Sequence, residues 1–190
     1  IVFRKDGHLM VTKVASKTFV GKDIIHVAVF KKKDKRTVYN MMYRDGKSGP
    51  SYMKRFNVTS VTRDKEYDLA NGKKGSIVHY FSANPNGEAE VVTILLRAVG
   101  SVKKLKWDID FSDLAVKGRA VRGNTITKYA IRKVEFKSSG VSTLKPRKIW
   151  FDDTVQRLNV DGRGELLGEF KAEDKILIAT QSGKIKAVTP

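Results

Sequence analysis

Residues 77–96 read IVHYFSANPNGEAEVVTILL, and how this stretch folds decides the architecture. Two runs of β-branched, aromatic and aliphatic residues flank Asn84-Pro85-Asn86-Gly87. Proline cannot donate to a sheet ladder, and the Asn-Gly pair supplies the positive φ of a tight reversal. The stretch therefore predicts two strands closed into a hairpin. The second run, VVTILL, does not alternate apolar with polar. A strand with one wet face alternates, whereas a strand buried between two neighbouring sheets does not. IIHVAVF (24–30) and KILIAT (175–180) share this character, which predicts small sheets stacked around an axis.

Working outward, hairpin signals are dense and helical periodicity is absent. Asp6-Gly7, Asp45-Gly46, Asn71-Gly72 and Asp161-Gly162 repeat the turn chemistry of Asn86-Gly87. Residues 23–43 predict another hairpin, with KKKDKR (31–36) at its tip. The chain also repeats itself. A glycine turn followed by a basic strand recurs in RKDGHLMVTKV (4–14), GKSGPSYMKRF (46–56), RAVGSVKKLKW (97–107) and ATQSGKIKAV (179–188), aligning Gly7, Gly49, Gly100 and Gly183. A second landmark, glycine then β-branched residues then His or Lys, follows at Gly21, Gly75 and Gly123. Spacings of 42 and 51 residues suit four-stranded blades; the next gap, 83, is twice as long. Either Gly140 is the missing turn, or residues 137–160 are an insertion within one 190-residue domain.

Lys and Arg number 38 against 20 acids, for a net charge of +18. Residues 1–40, 41–100 and 101–150 carry +7, +3 and +9, while the last forty carry −1. An excess of this size repels itself in a compact chain and predicts a polyanionic partner. There is no cysteine, which excludes a disulfide scaffold or thiolate zinc site and suits a reducing cytosol. No apolar run reaches the ~20 residues of a membrane helix. The opening IVFRK, without methionine, reads as the start of a fragment.

The repeat resembles the blades of the C-terminal domain of type IIA DNA topoisomerase A subunits, gyrase A and topoisomerase IV A. The resemblance is carried by DKILIATQSGKIKAV (174–188), LAVKGRAVRGNTI (114–126) and VDGRGELLGEFKAEDKILIAT (160–180). It implies an all-β fold, a propeller-like β-pinwheel of about four four-stranded blades in a closed or incomplete ring, with a strand exchanged between neighbours. It implies non-specific binding and bending or wrapping of double-stranded DNA, presented for strand passage. Breakage, religation, ATP and Mg would belong to other domains of a parent enzyme paired with an ATPase B subunit in the bacterial nucleoid. No cofactor and no catalytic residue is carried over to this fragment. KGRAVRG (117–123) only partly overlaps the gyrase wrapping box, lacking its leading glutamine and doubled arginine and glycine, which favours a topoisomerase IV-like role.

The candidate DNA-binding residues are Lys117, Arg119 and Arg122 in KGRAVRGN, where flanking glycines let backbone approach phosphate. Lys54 and Arg55, Lys103, Lys104 and Lys106, Lys184 and Lys186 follow the turns, and Lys73 and Lys74 precede Gly75. Strand alternation would put Lys104 and Lys106 opposite Leu105 and Trp107. Trp107 and Trp150 read as core, or as stacking platforms for bases. The glycines of DGRGELLG (161–168) miss dinucleotide-fingerprint spacing by one residue. His8, His26 and His79 lack metal-ligand spacing, and Asp152-Asp153 reads as an acidic turn. A propeller-like protein-interaction module and an RNA-binding β domain are the rival readings.

Overall fold

The computed structural model describes residues 1–100 and 102–189. They divide into two compact units, 1–140 and 141–190. Apart from one 3-10 turn the regular structure is all strand, in small sheets of which none closes into a barrel.

In the first unit β1 (Val2–Arg4) and β2 (His8–Met10) form a hairpin over Asp6-Gly7, and β3 (Ile24–Val27) pairs with β1. β4 (Val38–Arg44) and β5 (Ser51–Asn57) form the hairpin of a second sheet over Asp45-Gly46. The chain then returns: β6 (Glu66–Asp68) pairs with β2 of the first sheet, before β7 (Ile77–Asn84) pairs with β4. β8 (Val91–Leu96) and β9 (Lys106–Asp110) open a third sheet. Again the chain returns, laying β10 (Val116–Gly118) parallel and β11 (Asn124–Thr127) antiparallel on β5. β12 (Ile131–Ser138) then completes the third sheet on β8. The first and second sheets thus each receive a strand from chain that has already begun the next sheet, the exchange expected of a β-pinwheel.

The second sheet is buried on both faces. Tyr39, Met41 and Tyr43 of β4 face Phe3 and Leu9 of the first sheet, and Met42 faces Val92 and Ile94 of the third. Period-two alternation sends neighbours to opposite sides, so β4 needs apolar residues at nearly every position.

Residues 77–96 do not form a hairpin. The tight reversal is present, with the Gly87 N–H donating to the Asn84 carbonyl at 3.0 Å. However, β7 pairs with β4 while β8 pairs with β12 and β9. The turn steps the chain from one sheet to the next. Residues 31–36 do the same between β3 and β4; Asp34 accepts from the Arg36 and Thr37 amides and the Thr37 hydroxyl, capping the link.

The apolar runs also divide. VVTILL is buried, but within IIHVAVF Val27, on the edge strand β3, is 63% exposed, and Val29, beyond the end of β3, is 85% exposed. The second repeat landmark is structural: Gly21, Gly75 and Gly123 hold φ of 97°, 88° and 93°. The first landmark is out of register in its second copy. Gly46, not Gly49, takes the positive φ that Gly7 has, because the turn at 45–50 is longer than that at 5–7.

The second unit holds β13 (Arg147–Asp152), flanked by β14 (Arg157–Asn159) and β15 (Glu165–Phe170), and a ribbon of β16 (Ile176–Ala179) and β17 (Ile185–Val188). Residues 137–160 therefore contain β13 and β14. Leu177 of KILIAT is 70% exposed, since a two-stranded ribbon covers one face at most. Sheet sizes run from two to five strands rather than a uniform four; strand exchange thickens the second sheet. Residues 165–170 are strand rather than the helix a dinucleotide site needs.

Candidate nucleic-acid interface

KGRAVRGN is the connection from β10 to β11, so both its ends are tied to β5. Between them the loop doubles back, with the Val121 N–H donating to the Gly118 carbonyl at 3.1 Å. A Cβ on Gly123 would run into the Met53 carbonyl and the Lys54 side chain, whereas one on Gly118 meets nothing within 4 Å. One glycine is there for packing. The other leaves open backbone at the surface.

What holds the loop is Lys54. Its ammonium donates to the carbonyls of Leu69 at 2.6 Å, Arg119 at 2.8 Å and Val121 at 3.2 Å, and sits over the rings of Phe56 and Tyr43 at 5.1 and 5.6 Å. Lys54 is only 4% exposed, and Arg55 only 1%. Both were expected on the wet face of a basic strand, and neither reaches a surface. They lie at the centre of the second sheet, where neither face is wet, so period two merely sends them to opposite interiors. Arg55 donates to Asn40 Oδ1 at 2.9 Å and to the carbonyls of Gly87 and Glu88 at 3.0 and 3.2 Å. Burial pushes the Lys54 ammonium down to about 8, with Asp68 opposing.

The exposed cations gather where three turns meet at one end of the second sheet. Gly46 of turn 45–50 donates to Ser76 Oγ at 2.9 Å. The Tyr43 hydroxyl accepts from Asn71 Nδ2 at 2.8 Å and donates to the Arg122 carbonyl at 2.6 Å. Lys47, Lys73, Lys74 and Arg122 are exposed there, whereas Lys117, exposed on β10 opposite Phe56, lies toward the other end of β5. The buried Asp45 carboxylate lies 3.1 Å from Lys73 Nζ and 3.8 Å from an Arg122 nitrogen, so one acid serves two of these cations. Arg119 is half-buried over Tyr67 at 4.3 Å and donates to the Ser60 carbonyl at 2.6 Å. Sequence reading missed Lys47 and Asp45; the aspartate's position immediately before the β4–β5 turn glycine was the available signal.

Lys103, Lys104 and Lys106 are exposed. Lys104 and Trp107 do not fall on opposite faces, because β9 begins only at Lys106; Lys104 Nζ lies 6.0 Å from the Trp107 ring centre. Lys184 and Lys186 are exposed in the second unit. His79 is pushed down to about 4 by burial, then by Arg44 and Lys5. His26, which burial also lowers, packs 5.8 Å from Phe3. Both histidines are therefore neutral at physiological pH and sit among core groups. Among the described residues there is no group of three metal-ligating side chains, and no helix is long and apolar enough to cross a membrane. Asp152 caps its own turn by accepting from the Thr154 amide at 3.1 Å.

Comparison with known families gives one match, to a family described as topoisomerase C-terminal domain, Bacteroidota, over residues 1–139 and 157–190. The unmatched residues 140–156 include β13. No curated protein and no solved structure matches the chain.

Proposed function

The chain belongs to the topoisomerase C-terminal domain family, and from that premise we propose that it binds and bends duplex DNA without reading its sequence. One observation carries the reading: three turns from separate parts of the chain bring Lys47, Lys73, Lys74 and Arg122 to one end of the second sheet, around a single buried acid. Phosphate contacts of this kind position a duplex without specifying bases. Each neutralised phosphate releases counterions, and several together offset the roughly 1–6 kcal/mol of bending a 20–30 bp segment. Lys103, Lys104 and Lys106 add exposed positive charge on the first unit, and Lys184 and Lys186 on the second. In the parent, a type IIA enzyme of gyrase or topoisomerase IV type with an ATPase partner subunit, the bent segment would be offered for strand passage while other domains do the chemistry.

The test is fluorescence anisotropy with duplexes of increasing length across a salt series. Affinity should rise with length to a plateau, and log K should fall linearly with log salt. Arg119→Ala with Arg122→Ala should weaken binding equally on all sequences and flatten the salt slope by about two contacts. An unchanged slope removes the loop from the interface. Asp45→Asn makes the opposite prediction. With its two cations released, duplex affinity should rise and the slope steepen; a loss of affinity would show that Asp45 serves to place those cations.

A further inference from the structure

We propose that the groove beside Trp107 is a site for an unpaired nucleotide, holding its base on aromatic rings and its phosphate on lysine ammonium groups. The groove encloses about 350 Å³; Leu96, Val102, Trp107 and Tyr129 give it apolar surface, and Lys103 and Lys104 give it charge. No acid lines it. Trp107 packs against the core between the second and third sheets while also lining the groove, so its ring is fixed before any ligand arrives. Tyr129 is 37% exposed.

Both rings are attended by cations. Lys104 Nζ is 6.0 Å from the Trp107 ring centre and Lys128 Nζ is 5.6 Å from that of Tyr129. A nucleotide satisfies both partners at once: the base takes the ring face, and the displaced ammonium meets the adjoining phosphate. Bases stacked within a duplex offer no free face to a groove of this depth, so the site selects unpaired bases. Tyr129 and Trp107 lie outside the three-turn corner, and the inference stands or falls independently of duplex binding there.

The probe is an oligothymidylate of about ten nucleotides added to the full chain carrying Trp150→Phe, which leaves Trp107 as the only indole. Trp107 emission should be quenched as the oligomer binds. Tyr129→Ala should weaken oligothymidylate binding about tenfold and leave duplex affinity unchanged. The anisotropy of a labelled oligomer gives the Tyr129→Ala result with both tryptophans retained, should Trp150→Phe not fold. Binding without quenching, an unaltered oligothymidylate affinity in Tyr129→Ala, or equal losses on single strand and duplex would each overturn the assignment.

Discussion

Replacing Lys54 by methionine is expected to lower the unfolding free energy of residues 1–140 by about 3 kcal/mol at neutral pH, and to weaken duplex binding although no surface charge is lost. The carbonyls of Leu69, Arg119 and Val121 would lose the donor that now gathers them, and a buried acceptor left alone costs about 1–3 kcal/mol. The loop carrying Arg119 and Arg122 would lose its anchor, so the proposed interface should loosen. Urea titration measures the first effect and anisotropy with duplex the second. The pH dependence separates Lys54 from a generic core lesion. Its folded pKa of about 8 lies below the ordinary value of 10.5. Between those values the unfolded chain holds a proton that the folded chain has released, so this group adds stability as pH rises, by up to about 1.4 kcal/mol per unit. The contribution is complete above 10.5 and lost as pH falls to 8. Burial raises Tyr39 to about 12 and also raises Tyr43 and Tyr80. Their opposing effect begins near the ordinary tyrosine value of 10.0, leaving pH 8 to 10 as the window. The rise should be seen in the parent and be absent from Lys54→Met; parallel profiles would refute it.

The misplacement of Lys54 and Arg55 shows what the sequence carried and what it did not. Turn chemistry was legible because it is local: Gly7, Gly46, Gly72, Gly87 and Gly162 all take positive φ. Partner choice is not local. Nothing in residues 84–91 states that Val91 pairs with Ser138 rather than with the strand just completed. The stacking of sheets was legible in VVTILL, since no one-sided strand tolerates that composition. The burial of Lys54 was also encoded, though less plainly. Period two puts Tyr52 and Phe56 on its face of β5, and both aromatics are buried. A lysine between two buried aromatics has an interior task, here the carbonyls of a loop some 65 residues away. The three-turn corner could not be read at all from spacing, because its cations come from turns joined only through strand exchange.

Arg55→Met should be the more damaging substitution, costing about 4 kcal/mol, within the 3–5 kcal/mol typical of a buried charge stripped of its partner. Arg55 and Asn40 bond at 2.9 Å, and Asn40 Nδ2 donates to Glu90 Oε2 at 2.8 Å. The Ser82 hydroxyl donates to the other Glu90 oxygen. Glu90 is itself buried. Desolvation pulls the Arg55 guanidinium down, and Glu90 and Asp110 oppose that pull, so cation and anion justify each other's presence inside. Removing only Arg55 strands the carboxylate, frees Asn40 Oδ1 and takes a donor from the carbonyls of Gly87 and Glu88. These last two belong to the link that steps the chain from the second sheet to the third, so the lesion should fall on the packing between those sheets. Arg55→Lys should rescue little, because one ammonium cannot span Asn40 and that link as a planar guanidinium does. Adding Glu90→Gln to Arg55→Met removes the stranded charge and should return about half of the loss. The double-mutant cycle by urea titration is the measure, and strictly additive losses would show that the two charges do not depend on one another.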